Sequence, residues 1–449
     1  MSKVMFKSTN RKSPLVSFKE ALLKGQAPDY GLYMPTEIPK LSDTEIHSFK
    51  NKEYYEIAFE IAKKFVEIGE QELKKLTKDA YNFDVPLEKV ENNLYLMRLD
   101  RGPTASFKDF AARLMARLMH YFAKQDGSKL TVLVATSGDT GGAVADAFYD
   151  LENINVIVLF PEKNVTGRQR RQMTTLGKNI KAIAVKGTFD DCQALVKRAF
   201  NDNDLKELNL TSANSINFGR LMPQIVYYVY AYSRLSKDKI IFSVPSGNFG
   251  NLMGGIFAKE MGLPIQKFIV AVNENDEFPN FLKTGTYSPI VPSRNCSSNA
   301  MNVGNPSNLA RLIDLYGGWL LDERSEKGEV IKKGVLKEKP DMKKLKADFI
   351  SFSISDEEVN ETIKDAYNKY KILLEPHGAV AFAAVKKANL NGLVVSLETA
   401  DPAKFPDEIK ELLGIEPKVP KSLAGLDNKK EDFEVVSNSY EEFKKKIKK

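Results

Sequence analysis

Lys108 stands in RGPTASFKDFAARLMARLM, residues 101 to 119, a stretch whose pattern predicts a helix with little room for charge. At helical spacing Phe107, Phe110, Ala111, Leu114, Met115 and Leu118 form one apolar face, and Lys108 shares a row with Ala111, Ala112, Met115 and Met119. Ser106 and Asp109 make an S-x-x-D pattern just ahead of it, so Ser106 is the expected N-cap, Asp109 closes a capping box, and Lys108 falls in the first turn. The positive end of the helix and the apolar neighbours both disfavour an ammonium there and make the neutral amine easier to reach. A desolvated lysine of this kind suits Schiff-base chemistry. Taken alone, the stretch also fits a lysine whose stem lies on apolar surface while its head reaches water.

Three further junctions carry ligand-binding residue types. PSGNFGN, Pro245 to Asn251, follows the apolar run IIFSV, and Gly247 and Gly250 allow a tight turn whose amides converge on an anion at the next helix start. It lacks the Gly-Lys-Ser/Thr of a Walker loop and the G-x-G-x-x-G of a dinucleotide site, and a plain strand-to-helix turn is the alternative. TSGDTGGAVADAF, Thr136 to Phe148, offers hydroxyls at Thr136, Ser137 and Thr140 with backbone amides near Gly138 for a carboxylate. Asp139 would repel a carboxylate, so it is expected to brace the loop or contact an amine; an ordinary capped turn is again the alternative. In NSINFGRLMPQIVYY, Arg220 follows Asn214 by six residues and either clamps a phosphate or carboxylate or makes a structural ion pair. Thr399 ends the run VVSLET, at the sheet edge where ligands gather in open α/β folds, although a lone threonine also serves as a cap. A lysine poised for an imine, a phosphate cradle and a carboxylate loop are jointly what pyridoxal phosphate with an amino-acid substrate requires.

The elements that must hold these residues are legible as two groups of short β-rich runs alternating with helix-length segments, the pattern of parallel sheets covered by helices. The first group is 130–136, 155–160 and 180–185; the second is 240–244, 268–272, 348–354 and 393–397. Residues 1–95 read as mainly helical, with the long amphipathic stretch Glu53 to Gly69. The expected division is therefore a helical region 1–95, a small α/β domain 96–210 that includes the Lys108 helix, and a large cofactor-binding domain 211–449. Its segment 275–347 is expected to be loops near a site plus a surface insertion.

Composition removes other classes. The 449 residues carry a net charge of +7, with dispersed lysines rather than the basic, aromatic-lined groove of a nucleic-acid binder. Two cysteines exclude a disulfide scaffold, and three scattered histidines give no metal motif. No apolar run is long enough to span a membrane, and the basic start lacks a secretory core, so a cytoplasmic enzyme without a metal is expected.

Taken in order, SFKEALLKGQAPDYGLYMP, GPTASFKDFAARLM, ATSGDTGGAVADAF, NSINFGR, PSGNFGNLMGG, AMNVGNPSN, EPHGAVA and LETADPAKF resemble the threonine synthase family of fold-type II pyridoxal-phosphate enzymes over nearly the whole length. The resemblance implies two open, mostly parallel sheets flanked by helices, a fold like the tryptophan synthase β subunit, and pyridoxal 5'-phosphate as cofactor. It implies that Lys108 carries the cofactor, that Gly247, Asn248, Phe249, Gly250 and Asn251 hold its phosphate, and that Thr399 faces the pyridine nitrogen, leaving it largely unprotonated. Thr136, Ser137, Gly138, Asp139 and Thr140 would hold the substrate carboxylate, with Asn214, Ser215 and Arg220 on the substrate phosphate. The implied reaction turns O-phospho-L-homoserine and water into L-threonine and phosphate, in a monomer or homodimer that needs no nucleic acid or membrane. Two residues depart from the family pattern, Asp401 where histidine is usual and Asn302 where aspartate is usual. The chain begins close to its first motif, so no regulation by S-adenosylmethionine is expected. The competing readings are a phospho-lyase that releases 2-oxobutyrate, a nucleotide-binding oxidoreductase and a non-catalytic binding module.

Overall fold

Strands buried on both faces must be apolar throughout, and the runs that read so in the sequence are the central strands of two sheets. The computed structural model describes residues 4–136, 138–163, 165–235, 238–325 and 328–448. One sheet has five parallel strands in the order Glu434–Ser437, Ile180–Lys186, Ile154–Pro161, Leu130–Ala135 and Leu210–Thr211. The other has six, in the order Phe349–Ser353, Ile265–Val272, Ile240–Pro245, Leu393–Glu398, Leu94–Arg98 and Leu87–Glu91, with only the last antiparallel.

Sheet membership does not follow the division drawn from sequence. Leu94–Arg98 pairs with Leu393–Glu398 in the six-stranded sheet, and Leu87–Glu91, inside the region read as helical, forms its edge. The tail strand Glu434–Ser437 joins the five-stranded sheet, and the helix Tyr440–Ile447 buries Tyr440, Phe443 and Ile447 in the same core as Ile183 and Val185. The stretch Glu53 to Gly69 is helical only over Tyr54–Ala62; the chain then turns, which buries Phe65 and Val66, before the helix Glu70–Ala80. The segment 275–347 is also more ordered than expected, with helices Glu277–Thr284, Leu309–Leu315 and Met342–Asp348 and an antiparallel hairpin of Trp319–Arg324 with Val330–Glu338.

Aromatic clusters fasten the N-terminal region to the two-sheet core. Phe6, Phe18 and Phe65 surround Phe218, whose ring also meets Phe257 at 5.7 Å. Tyr54 and Tyr81 pack on Phe110, and the Tyr81 hydroxyl donates to the Phe110 carbonyl at 2.8 Å, two residues after Lys108. The helix Gly250–Glu260 approaches Gln224 so closely that a Cβ on Gly254 would lie 2.7 Å from Gln224 Cβ and 2.9 Å from its carbonyl carbon. Only glycine fits there without displacing main chain. Replacing Gly254 with alanine is expected to destabilise the protein by about 1–3 kcal/mol through overpacking. Denaturation midpoints for the two proteins check this, and an unchanged midpoint would show that the helix contact is not tight.

Candidate active site

The helix Lys108–Asp126 starts at Lys108 itself, and the loop before it is sewn to the end of the strand Leu393–Glu398. Phe107 N–H donates to the Thr399 carbonyl at 2.8 Å, Asp401 N–H donates to the Ala105 carbonyl at 3.0 Å, and Ser106 forms a bridge with Ala400. These bonds displace the expected capping box. Phe107, not Ser106, occupies the N-cap position without a side-chain cap, and the Ser106 hydroxyl is buried without a partner. Asp109 reaches back instead, accepting from the Thr104 amide at 2.9 Å and from its hydroxyl. Gly102 makes room for that carboxylate, since a Cβ there would meet its Oδ2 at 2.3 Å.

Lys108 does not snorkel. Its side chain is 13% exposed, with Nζ 4.0 Å from Asp139 Oδ2 and 5.0 Å from the Phe107 ring centroid. Burial pulls its pKa down to about 8; Asp139 opposes this, and the Lys404 and Arg220 cations reinforce it. Asp139, the first residue of the helix Asp139–Phe148, also receives Lys404 Nζ at 2.7 Å and Gln169 Nε2 at 2.9 Å. Burial raises its pKa, but Lys404 and Lys108 outweigh that and hold the carboxyl ionised, well below the usual range. Lys404 is fully buried, and its remaining described contact is the Thr104 carbonyl at 2.9 Å. Asp139 thus contacts amines, as its charge suggests.

The hydroxyl of Thr136 is turned inward. It accepts from the Gly138 and Gly141 amides, both at 2.9 Å, and so braces the turn rather than facing a ligand. Gly138 sits at φ +142° against the Gln169 side chain, 2.6 Å from where its Cβ would be, which no other residue could accept. Ser137 lies outside the described residues. Thr140 is partly exposed in the first helical turn, where main-chain amides have no intrahelical acceptor.

The run Gly247–Asn251 is the start of the helix Gly250–Glu260, and Phe249 takes the left-handed conformation at its N-cap, φ +61°. Gly247 lies under Met301, whose Cα would be 2.9 Å from a Cβ there. Asn251 Oδ1 accepts from the Tyr227 and Tyr228 hydroxyls at 2.6 and 2.7 Å, while its Nδ2 is buried without an acceptor. An unpaired donor at a helix N-terminus, beside a glycine packed against main chain, fits an anion. Asn308 Nδ2 ties the Asn248 carbonyl, at 3.0 Å, to the Ser215 carbonyl, at 3.2 Å. Asn214 Nδ2 holds the Ala135 carbonyl at 3.0 Å, so this turn touches both the cradle and the Thr136 loop.

Arg220 is buried and, among the described residues, has no carboxylate within ion-pairing distance. Its Nη1 donates to the Ala213 carbonyl at 2.6 Å, and its Nε has no partner. Burial draws its pKa down to about 10, with Asp109 opposing. Among the described residues Arg220 makes no structural ion pair, and its Nε stays available to an anion. A cleft of about 610 Å³ opens onto Asn214, Ser215 and Asn248, with Tyr30 from the N-terminal region and Arg324 from the hairpin on its walls.

Five site residues were not singled out by sequence. Lys404 is the second buried amine. Arg311, fully buried, donates to the carbonyls of Tyr33, Ser215 and Ile216 and to Asn308 Oδ1, which positions the Asn308 clamp. Glu375 and His377 lie behind Thr399, whose hydroxyl donates to Glu375 Oε1 at 3.1 Å. Gln169 holds Asp139. Both departures from the family pattern have structural partners: Asp401 caps the turn Pro402–Lys404 by accepting from the Ala403 amide at 2.9 Å, and Asn302 Oδ1 accepts from Asn273 Nδ2 at 2.9 Å. Among the described residues no group of side chains is arranged to hold a metal ion, and no helix is long and apolar enough to cross a membrane.

Comparison with known proteins gives matches along nearly the whole chain. The family model described as pyridoxal-phosphate dependent enzyme matches residues 80–397, and those described as threonine synthase N terminus and threonine synthase, C-terminal match 5–81 and 378–447. The chain is 40% identical over 419 residues to the threonine synthase of Haemophilus influenzae, with 91% of each covered. Its structure is similar to that of pyridoxal-phosphate-bound threonine synthase from Brucella melitensis, with a TM-score of 0.91, 35% identity and coverage of 99% of this chain and 98% of that one. The threonine synthase of Escherichia coli gives a TM-score of 0.88 at 34% identity, with 99% of both chains covered.

The electrostatics of Lys108 are open to a direct test. Exchanging Lys404 for methionine removes a cation that depresses the Lys108 pKa and frees Asp139 to stabilise the Lys108 ammonium, so both changes act upward. Titrating acylation of Lys108 in cofactor-free protein by peptide mass spectrometry should give a midpoint near pH 8 before the exchange and a higher one after it. A midpoint that falls or stays fixed would contradict the assigned coupling.

Proposed function

We infer that this chain, which belongs to the threonine synthase family of pyridoxal-phosphate-dependent enzymes, makes L-threonine and phosphate from O-phospho-L-homoserine and water. The observation that carries the reading is a buried amine of depressed pKa at a helix start; a second helix start with the unpaired Asn251 donor and a buried arginine whose Nε has no partner support it.

The residues present fit the cofactor. Gly247 to Asn251 would take its phosphate at the helix start, Lys108 would carry it covalently, and Thr399 would face its ring nitrogen. Bound there, pyridoxal phosphate supplies an electron sink for charge that develops next to the substrate amine. The protein does the rest by position. The helix start at Asp139 and Thr140 directs amides at the substrate carboxylate, with Thr136 holding the turn in shape. Asp139 stays ionised near the amine side, balanced by Lys404. Arg220, with Asn214 and Ser215, takes the phosphate that leaves when the Cγ–O bond breaks. Lys108 is the only described amine in the site that is neither ion-paired below 4 Å nor fully buried, so it is the group that takes protons from Cα and Cβ as the Cγ–O bond breaks and returns them to Cγ and Cα, while water gives its hydroxyl to Cβ and its proton to the departed phosphate. Its pKa near 8 suits both directions of transfer around neutral pH.

The ligand partner is a small molecule. A reducing compartment such as the cytoplasm suits Cys192 and Cys296, which are free and buried. The phospho-lyase reading differs from the synthase only in whether water is captured at Cβ before product leaves, and no residue described here favours it.

The deciding experiment incubates the purified protein with pyridoxal phosphate and O-phospho-L-homoserine and identifies the products; threonine with equimolar phosphate is expected, and 2-oxobutyrate with ammonia as the main product would replace the synthase reading. Lys108→Ala should abolish the absorbance of the lysine-bound cofactor and lower kcat by at least about 10²-fold. An unchanged spectrum would reject Lys108. Arg220→Ala should lower kcat/KM by roughly 10–100-fold through the substrate, the size expected for a charged hydrogen bond, while cofactor affinity changes far less. Equal losses in both would move Arg220 out of the substrate site.

A further inference from the structure

The cleft that reaches Asn214, Ser215 and Asn248 is also lined by Lys197, Arg324 and Lys333, and among the described residues none of these cations has a carboxylate within ion-pairing distance. They stand on both walls. Lys197 belongs to the helix Phe189–Phe200, whose Cys192, Leu195 and Val196 pack on the five-stranded sheet; Arg324 and Lys333 belong to the hairpin. The two lysines are exposed and the arginine is half-buried. Arg324 is held in place without being neutralised. Its guanidinium lies 4.3 Å from the Tyr30 ring centroid and Nη1 donates to the Gly328 carbonyl at 2.7 Å, while Nε and Nη2 have no described partner. Tyr30 is fixed in turn at φ +65°, a backbone conformation rare for a tyrosine, with Asp29 Oδ1 accepting from the Gly31 amide at 3.0 Å and Gln26 Nε2 donating to the Tyr30 carbonyl at 2.8 Å. Two carboxylates share the cleft, and both have other partners or other work. Asp322 Oδ1 accepts from the Gly334 amide at 2.8 Å and from Asn305 Nδ2 at 3.2 Å, and Asp190 sits in the first turn of Phe189–Phe200, where a negative charge suits the helix end. Desolvation by the cleft walls lowers the Lys197 pKa although the residue is exposed; Asp322 opposes this, and Lys333 and Arg324 reinforce it, so the three cations act on one another.

We propose that Lys197, Arg324 and Lys333 form an anion-recruiting rim that selects a phosphorylated amino acid and passes its phosphate inward along the cleft toward Asn214 and Ser215. This rests on the reading of O-phospho-L-homoserine as substrate. The ammonium and carboxylate of that molecule cancel, and its phosphate leaves nearly two negative charges at neutral pH, whereas an amino acid without the phosphate has no net charge. A cleft with cations on both walls focuses their field on its opening and raises the arrival rate of such an anion. Arg324 adds geometry to charge, because a guanidinium held on a ring face keeps Nε and Nη2 as a fixed pair of donors for two phosphate oxygens. The exposed lysines are screened by water and salt, so the rim attracts the phosphate without trapping it. The charges that act on Lys108 are Asp139, Lys404, Arg220 and Glu375, none of them on the rim. The rim therefore governs arrival, and the chemical step belongs to other residues.

The test is stopped-flow mixing of the pyridoxal-phosphate-loaded enzyme with O-phospho-L-homoserine, reading the second-order rate of the change in cofactor absorbance. At ~20 mM salt Lys197→Glu should lower this rate about five-fold or more, and at ~500 mM salt most of the difference should vanish. Arg324→Gln should lower it as well and keep part of its loss at high salt, because it also removes directed hydrogen bonds. Lys75→Glu makes the same change of net charge on the exposed face of the helix Glu70–Ala80, outside the cleft, and should leave the rate within about two-fold of the wild type. A Lys197→Glu rate equal to that of the wild type or of Lys75→Glu overturns the proposal. So does a loss of the same size at both salt concentrations, which marks damage to the fold instead of a lost attraction. Failure of the underlying reading looks different: a wild-type enzyme whose absorbance does not respond to O-phospho-L-homoserine at all removes the substrate, and the rim's role with it.

Discussion

A primary amine kept out of water between one carboxylate and two other cations is the constraint around which this molecule is arranged. Lys108 keeps an accessible neutral form because burial outweighs the attraction of Asp139, and Asp139 does not pin it because Lys404 takes the closer position, 2.7 Å against 4.0 Å. Each member of the trio comes from a different part of the chain: the start of the Lys108 helix, the turn after Ala135, and the turn after the strand Leu393–Glu398. A buried carboxylate between two lysines also explains Gln169, which donates a third bond from the helix Gly167–Thr174. Asp401 has a plain role in the same arrangement. It caps the turn Pro402–Lys404 and so aims Lys404 inward.

The two sheets deliver these groups because both present their carboxyl ends to one crevice, where ligands bind in open α/β folds. Thr136 follows Leu130–Ala135, Gly247 follows Ile240–Pro245, and Thr399 follows Leu393–Glu398. Main-chain bonds then lock the loops to one another. Phe107 and Asp401 bond across to Thr399 and Ala105, so the amine and the threonine expected at the ring nitrogen cannot shift independently. The Asn308 side chain joins the Asn248 and Ser215 carbonyls on the side where phosphate is expected. Such bonds hold positions within tenths of an ångström, which is what proton transfer at a fixed carbon demands.

The sequence exposes the central strands and the residues that follow them, because a strand covered on both faces is apolar along its length. It conceals the pairing of Glu434–Ser437 with Ile180–Lys186, since a short strand in a lysine-rich tail has no such run and its partner is about 250 residues away. It misleads at Ser106, where a local capping pattern loses to long-range bonds with Ala400 and Thr399, as propensity does when tertiary contacts compete. The buried charges were the hardest to read. Lys404, Glu375 and His377 sit in motifs that mark the family and Arg311 lies three residues past one, but burial turns a charge into a functional group, and no short spacing reports burial. Asp139 is the exception, because a carboxylate at an expected carboxylate site must have a cation nearby.

Two buried arginines stand apart from these ion pairs. Among the described residues neither Arg220 nor Arg311 has a carboxylate within ion-pairing distance, and burial lowers both, to about 10 and about 9. Arg311 is met by three main-chain carbonyls and Asn308, which satisfy its donors but not its charge. A buried guanidinium without a counter-ion costs several kcal/mol. The carboxylates, Asp139 and Glu375, lie with Lys108 and Thr399, where an amine and a ring nitrogen are expected. Arg311 lies with Ser215 and, through Asn308, with Asn248, whereas Arg220 holds the Ala213 carbonyl and is close enough to Lys108 to disfavour its ammonium. An anion held by the unpartnered Arg220 Nε would offset that cost, and the free energy released would be available to hold the reacting carbons against Lys108.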